Sequence, residues 1–296
     1  MLLIFIGAAM GTYAGAIGAG GGFLIAPFLL FRYPTATAAE ITAASLLYVV
    51  VNSALQVLVA FKENRIDGRL VVLLAAIGVR AAVVGGATTG LVPRDYFAVG
   101  FGVFLVLIGI YVIVRPTAVP EPTTGDGWQR NIKDRNGTIF RFRIPLIRSA
   151  LAQAATAFFS ALAGIGGGPI GMPVMTRVQK VPHEIAVPSM HLLIFIQSIS
   201  VTGLHIVNET NGSPLSDLPW LAAGVIISAP LAAKFRRIAG EGKLMRALAI
   251  GLIDFLSLPF PTNFVIVCLQ LRCPSFHLLE QLRVLRFDLS LLHSRS

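Results

Sequence analysis

A helical membrane protein built from two related halves is the fold that this sequence predicts, and three observations predict it. The composition is 55% hydrophobic and only 13% charged, whereas soluble domains carry about 25% charged residues. Several apolar runs exceed the roughly 18 residues that suffice to span a bilayer. A glycine-rich stretch in the first run, Gly18–Pro27, recurs in the middle of the chain as Gly164–Pro173, with the shared pattern Gly-x-Gly-Gly-Gly, four residues, then Pro.

Each glycine-rich stretch predicts a break in a long apolar run. Leu2–Phe31 and Ser149–Thr176 are both too long for a single crossing, and Gly costs about 1 kcal/mol relative to Ala inside a helix. We therefore expect each run to form two short helices that enter the membrane and turn back. A broken apolar helix that occurs once in each half is typical of the binding site of a secondary transporter.

The other apolar runs predict three further helices in each half. They are Ile41–Phe61, Leu70–Val92 and Tyr96–Val114 in the first half, and Ile185–Val207, Leu218–Phe235 and a run that begins near Ala247 in the second. The fold class is therefore all-α, with two repeats of a re-entrant helical hairpin and three transmembrane helices. The predicted domains are a first membrane repeat over residues 1–114, a linker over 115–148, a second membrane repeat over 149–271 and a tail of unclear structure over 272–296.

The distribution of Lys and Arg favours the re-entrant arrangement. If every run crossed the membrane once, the two sides would carry nearly equal numbers of Lys and Arg. With the tail excluded, 17 Lys and Arg in the loops lie on one side and 2 on the other if the two broken runs turn back. Because cytoplasmic loops carry the positive excess, the linker and the turn Arg177–Lys180 are predicted to be cytoplasmic. Three crossings per half is an odd number, so the two repeats are predicted to be inverted relative to each other.

Several classes of function are disfavoured by the composition. The net charge of +10 lies in short loops and forms no basic stripe interleaved with aromatic residues, so no nucleic-acid partner is expected. The two cysteines, Cys268 and Cys273, lie in the tail, and no His-Glu-x-x-His motif is present. We therefore expect no metal site, no cofactor and no enzymatic activity.

The glycine stretches admit three interpretations. A dinucleotide loop is disfavoured, because Gly166–Gly171 follows an apolar helical run rather than a strand. Close helix packing is supported by Gly11-x-x-x-Gly15 and Gly18-x-x-x-Gly22. We favour an anion site, in which unwound N–H groups and the positive end of a half-helix face the ligand. The candidate ligands are Gly18, Gly20, Gly21, Gly22, Gly166, Gly167 and Gly168. We expect alanine at Gly21 or Gly167 to abolish binding without lowering the melting temperature.

Polar side chains within the apolar runs complete the candidate binding site. Arg80, near the middle of its run, either supplies positive charge to an anion or pairs with Glu40, Glu184 or a carbonyl group. The other candidates either join helices or line a polar path. They are Ser45, Asn52, Ser189, His191 and Gln197. His191 and His205 also suggest proton coupling, although a buried histidine is more often structural.

The doubled motif resembles the TauE/SafE sulfite exporter family, also called the 4-toluene sulfonate uptake permease family. The resemblance covers about residues 1–251 and includes Ser45 in the second run and Asp67-Gly68 before the third. It implies a multi-pass carrier in the cell membrane whose partners are the lipid bilayer and a small anion such as sulfite or a sulfonate. We expect transport by alternating access. The alternative is a membrane scaffold without transport activity, in which the glycines only pack helices.

Overall fold

The computed structural model describes residues 1–62, 64–114, 127–207 and 212–239, and these residues are mainly helical. The α-helices are α1 (Leu2–Ile17), α2 (Gly22–Arg32), α3 (Ala38–Phe61), α4 (Gly68–Thr89), α5 (Arg94–Val114), α6 (Leu146–Leu162), α7 (Gly168–Pro173), α8 (His183–Val207) and α9 (Leu218–Ala239). The strands are β1 (Trp128–Lys133) and β2 (Ile139–Ile144). The predicted run near Ala247, the tail over 272–296 and residues 115–126 of the linker lie outside the described residues.

Within the described ranges, four segments are long and apolar enough to cross a membrane. They coincide with α3, α4, α8 and the stretch Ser213–Phe235 that contains α9. Shorter apolar helices flank the glycine stretches, as expected for half-helices: α1 has 16 residues, α2 has 11 and α6 has 17. The second half-helix after the second break is only six residues long and continues as the π-helical turn Val174–Val178. The described chain is thus a helical membrane protein.

Helices of one half pack along helices of the other half. Gly7 of α1 lies against Leu221 of α9, and Gly15 lies against Ala232, so α1 and α9 run in the same direction. Glycine at these positions lets the two backbones approach closely. The apolar core spreads over both halves and includes Ile17, Phe23, Ile165 and Met172.

The helices α4 and α6 form the equivalent pair. Gly85 of α4 lies against the backbone of Phe158 in α6. Near the end of both helices, the Thr89 hydroxyl donates to the carbonyl oxygen of Leu162 at 3.0 Å. These contacts place α4 and α6 in the same direction. In each half, the first helix therefore packs along the fourth helix of the other half.

The chain reverses at each glycine break. Arg32 at the end of α2 forms an ion pair with Asp217 at 3.3 Å, and Asp217 immediately precedes α9. Because α1 begins beside this same end of α9, α2 returns to the end from which α1 started. In the second half, Gly167 lies near Gln197 and Gly171 lies near Met190. The helix α7 therefore runs back along α8.

A β-hairpin, which the sequence did not lead us to predict, forms in residues 127–144 of the linker. Its strands pair antiparallel, with Trp128 opposite Ile144. Arg130 on β1 forms an ion pair with Asp67 at the start of α4, with Nε–Oδ2 and Nη2–Oδ1 distances of 2.8 and 2.5 Å. Asp67 is fully buried and also caps α4 by accepting from the N–H of Leu70 at 3.1 Å. The hairpin is thereby fastened to the loop between α3 and α4.

A second ion pair supports this attachment. The guanidinium of Arg65 lies 3.0 Å from the carboxylate of Asp134, at the hairpin turn. Burial raises the pKa of Asp134, but the hydrogen bonds from Arg65 and from the N–H groups of Thr138 and Asn136 outweigh burial and hold that pKa below its ordinary value. The carboxylate therefore stays ionised and keeps the hairpin turn closed at neutral pH.

Candidate functional site

The two glycine breaks have the same backbone geometry. The φ angles of Gly20 and Gly21 are 72° and 99°, and those of Gly166 and Gly167 are 75° and 97°. Only glycine adopts these left-handed conformations at little cost. Our expectation that alanine at Gly21 or Gly167 would leave the melting temperature unchanged is therefore wrong, because a side chain at either position strains the backbone. Helix propensity does not apply at these positions, since neither residue is helical.

The breaks contact each other directly, backbone to backbone. A Cβ atom on Gly22 would lie 2.5 Å from the carbonyl oxygen of Ile165, and a Cβ atom on Gly168 would overlap the backbone of Ala19. All four residues are buried. The packing interpretation of the glycines is therefore correct for Gly22 and Gly168, and the two broken segments cross at the centre of the helices that surround them.

Ser45 joins the two breaks. Its hydroxyl donates to the carbonyl oxygen of Gly164 at 2.7 Å and lies 3.3 Å from the carbonyl oxygen of Gly22. Gly164 lies in the second break, whereas Gly22 is the first residue of α2. Ser45 thus satisfies a backbone group that the second break releases and links it to the first broken segment.

Two further predicted residues also bind backbone carbonyl groups near the first break. The Asn52 side chain donates to the carbonyl oxygen of Gly20 at 2.9 Å. His191 places Nε2 at 3.0 Å from the carbonyl oxygen of Gly15, near the end of α1. Both side chains are fully buried. They support the first break rather than present free donors to a ligand.

The inner face of α6 is polar. Its buried residues include four polar side chains at helical spacing: Ser149, Gln153, Thr156 and Ser160. Its outer face exposes Ile147 and Leu151 by 79% and 69%. A helix that points polar groups inward and apolar groups outward fits lipid outside and a polar path inside.

A small cavity lies where α6 meets the second break. Its volume is about 10 Å³, and its lining consists of Leu46, Ala82, Ala157, Ser160, Ala161, Gly166, Gln197, Ser198 and Val201. That volume is close to the minimum that holds one water molecule. The Ser160 and Ser198 hydroxyls and the Gln197 amide nitrogen are buried without a hydrogen-bond partner among the described residues. Each buried polar group without a hydrogen bond lowers the stability of the fold by about 1–3 kcal/mol. The cavity therefore contains donors that the described residues leave unsatisfied.

Gln197 connects this cavity to α4. Its amide nitrogen lies against Gly78, where the amide nitrogen of Gln153 also approaches. A Cβ atom on Gly167 would lie 3.7 Å from its Oε1 atom. Among the predicted polar side chains, Gln197 is thus the one that the structure places at the second break with an unsatisfied donor.

Two predicted residues lie away from the crossing. Arg80 is exposed on the outer face of α4, beside the exposed residues Leu73 and Val84. It therefore does not supply charge to the crossing, and neither Glu40 nor Glu184 forms an ion pair with it among the described residues. Ser189 accepts a hydrogen bond from the N–H of Asp67 at 3.0 Å, in the loop that binds the hairpin.

Each break is followed by a helical segment of the same length. The helix α2 has 11 residues, and α7 with the π-helical turn up to Val178 also spans 11 residues. The positive ends of both segments begin at the crossing, where they add to the side-chain donors. At the first break, the ring of Tyr48 lies 2.9 Å from where a Cβ atom on Gly21 would be. No group of three His, Cys, Asp or Glu residues in the described ranges could hold a metal ion.

Sequence reasoning missed Ser160 and Gln153 as members of the site. The signal was present: Ser149, Gln153, Thr156 and Ser160 recur every three or four residues in an otherwise apolar run, which places them on one helix face. Ser198, next to Gln197 in the sequence, is a further member of the site that the sequence analysis did not predict.

The sequence of the chain is similar to those of known membrane transporters. A family model described as sulfite exporter TauE/SafE matches residues 3–258. The chain is 24% identical over 214 residues to the probable membrane transporter protein YunE of Bacillus subtilis (strain 168), covering 70% of this chain and 78% of that protein. No solved structure matches the chain. The family is one of membrane transporters rather than enzymes. The chain therefore belongs to the TauE/SafE sulfite exporter family.

Proposed function

We propose that the protein is a secondary transporter that moves a small anion, such as sulfite or an organosulfonate, across the cell membrane by alternating access. The observation that carries the proposal is the crossing of two broken helices beside buried donors that have no hydrogen-bond partner in the described part of the chain. Irregular backbone within a membrane protein is tolerated where it is buried or lines a polar cavity. Transporters place their substrate sites at such discontinuous helices, near the middle of the membrane.

We further propose that the two halves are inverted repeats. The direction of the helices supports this, because α1 runs parallel to α9 and α4 runs parallel to α6. Ser45, near the start of α3, binds Gly164, just after the end of α6, while the loop after α3 binds the hairpin that leads into α6. The helix α3 therefore runs opposite to α6 and to α4, as inversion requires.

Ion pairs at both ends of the described helices are suited to alternating access. Asp217 precedes α9 and pairs with Arg32, whereas Asp67 precedes α4 and pairs with Arg130. The two aspartates hold equivalent positions in the two halves, at opposite ends of the molecule. In our proposal, one pair opens while the other stays closed, so that the crossing is reached from one side at a time.

The scaffold alternative draws support from the close contacts of Gly22 and Gly168. It does not account for the polar inner face of α6 or for the unpaired donors around the cavity, since a scaffold would be more stable with apolar groups there. The transport hypothesis gives these groups a role.

Ligand-induced stabilisation of the purified protein tests the proposal. A ligand that binds only the folded state raises the melting temperature in proportion to its occupancy. We expect sulfite or a sulfonate to raise it and glucose, an uncharged solute, to leave it unchanged. Uptake of the stabilising anion into proteoliposomes should follow. If none of sulfite, thiosulfate, sulfonates and carboxylates raises the melting temperature or is taken up, the scaffold alternative would be favoured.

A further inference from the structure

The two glycine breaks differ in the space beside them. At the first break, a Cβ atom on Gly21 would lie 2.9 Å from the ring of Tyr48, which fills the site. At the second, the nearest atoms to a Cβ atom on Gly167 are Met190 Cε at 3.6 Å and Gln197 Oε1 at 3.7 Å. Met190 and Gln197 are both flexible side chains, whereas the Tyr48 hydroxyl is anchored to the carbonyl oxygen of Gly7 at 3.0 Å. Room for a ligand can therefore open more readily at the second break.

The helices that lead into the breaks differ in their donors. Ser160 lies four residues before the first glycine of the second break, and Ala14 lies four residues before the first glycine of the first. The same correspondence matches the polar face of α6 with Leu3, Gly7, Met10 and Ala14 of α1. The hydroxyls of Ser149 and Ser160 and the amide nitrogen of Gln153 are buried without partners in the described part of the chain. A polar path along the preceding helix thus leads to the second break, whereas the corresponding positions of α1 are apolar or glycine.

The donors at the second break are all electrically neutral. None of the residues that line the cavity is charged. Arg80 points away from it, and the His191 ring contacts the carbonyl oxygen of Gly15 near the first break. The cost of moving an ion out of water grows with the square of its charge, so a dianion costs about four times as much as a monoanion of equal size. The attraction of neutral hydrogen-bond donors grows only in proportion to the charge, so the few donors at this cavity offset a smaller share of the cost for a dianion than for a monoanion.

We propose that the second break alone binds the transported anion, through Ser160, Gln197, Ser198 and the N–H of Gly166, and that it selects singly charged oxyanions over doubly charged ones. The inference rests on the proposed function and specifies its substrate. Sulfonates and hydrogensulfite fit this class, whereas sulfate does not. The first break is then a structural counterpart that completes the crossing.

Two probes of similar shape and different charge test the selectivity. Methanesulfonate and sulfate both present sulfur-bound oxygens, but they carry one and two negative charges at neutral pH. Binding to the full-length protein in nanodiscs would be measured by calorimetry at constant ionic strength. We expect methanesulfonate to bind at least tenfold more tightly than sulfate. Equal affinity, or tighter binding of sulfate, would overturn the inference. The proposed function of anion transport would still stand.

Matched variants test the location. Gln197→Leu and Ser160→Ala should each weaken methanesulfonate binding at least tenfold. Gln56→Leu is the control, because Gln56 is also a buried glutamine whose amide nitrogen has no partner among the described residues, but it lies in the first half, against Gly15 of α1. It should change binding less than twofold. Ser160→Ala removes only one oxygen atom and should therefore disturb the fold less than Gln197→Leu. It tests the site even if Gln197→Leu does not fold.

The outcomes separate the two proposals. A tenfold loss in Gln56→Leu with unchanged binding in Ser160→Ala would overturn the assignment to the second break. If neither probe binds the unaltered protein, and no other small anion stabilises it or is taken up, the proposed function itself fails and this inference fails with it.

Discussion

The first and second glycine breaks have nearly the same backbone and different surroundings. Gly21 and Gly167 differ by only 2° in φ, at 99° and 97°. Tyr48 closes the space beside the first break, while the second adjoins a cavity with unpaired donors. The comparison teaches that the glycines determine where the helices reverse, whereas the flanking helices determine what can bind there. A duplicated backbone is therefore found in two different environments.

The backbone contact between the breaks should be the feature least tolerant of change. Gly168→Ala would push a methyl group into the backbone of Ala19, and Gly22→Ala would place one 2.5 Å from the carbonyl oxygen of Ile165. Neither contact can be relieved by a side-chain rotation, so we expect no folded protein from either variant. Size-exclusion chromatography in detergent would detect this.

The control for these variants is Gly203→Ala. A Cβ atom on Gly203 meets no atom within 4 Å, and alanine is the better helix former by about 1 kcal/mol. Gly203→Ala should therefore fold at least as well as the parent. A normally folded Gly168→Ala protein would mean that the two breaks do not touch.

The sequence was sufficient to predict the reversals but not what faces them. Three consecutive glycines in an apolar run interrupt a helix whatever its neighbours are, so the breaks follow from local preference. The orientation of Arg80 depends on which face of α4 packs inward. Gly78, Ala82 and Gly85 mark that inner face, and Arg80 lies two residues after Gly78, about 200° around the helix.

Ser189 illustrates a second reason why the sequence did not predict the whole site. Its position resembles that of Ser45 in the repeat, and Ser45 does bind the crossing. Ser189 instead binds the loop at Asp67, which is fastened by the hairpin. The hairpin lies in the linker and has no counterpart among the described residues of the second half. Long-range contacts of this kind cannot be inferred from the similarity of the two halves.

The two ion pairs at opposite ends of the molecule should contribute differently to stability, just as the two breaks differ in their surroundings. Arg130→Met would leave the fully buried carboxylate of Asp67 without its charged partner, at a cost of about 3–5 kcal/mol in the free energy of unfolding. Arg32→Met should cost at most about 1 kcal/mol, because the Arg32 side chain is 55% exposed. Urea unfolding in mixed micelles would measure both.

A double variant controls for the size of the arginine side chain. Adding Asp67→Asn to Arg130→Met removes the isolated charge while retaining an oxygen that can cap α4 at Leu70. We expect it to recover part of the lost stability. Equal destabilisation by Arg130→Met and Arg32→Met would show that the hairpin is not held as described.

Alanine at the reversals should lower stability moderately and unequally. Gly21→Ala and Gly167→Ala both place a side chain in a left-handed conformation, at a cost of about 1–3 kcal/mol. The Gly21 variant should melt at the lower temperature, because its methyl group also meets Tyr48 at 2.9 Å. Differential scanning fluorimetry of the two variants would test the order. Equal melting temperatures would contradict the difference in space between the breaks.

Single cysteine substitutions in exposed turns, which should disturb the fold least, test the re-entrant topology. Gln179 is fully buried and unsuitable for labelling, whereas the adjacent Lys180 is exposed. After Cys268 and Cys273 are replaced by serine, Lys180→Cys should react with an impermeant maleimide only in opened cells. Thr35→Cys, in the exposed turn after α2, should react in intact cells. Labelling of Lys180→Cys from outside would refute the predicted orientation.

The most direct test of the account is the position of a bound monoanion. The bromine atom of 2-bromoethanesulfonate, a singly charged sulfonate, can be located by anomalous scattering in a crystal of the complex. We predict that the sulfonate oxygens lie within hydrogen-bonding distance of Ser160, Gln197 and Ser198 at the second break. A sulfonate found beside Tyr48 and Asn52 at the first break, or away from both breaks, would contradict the central claim.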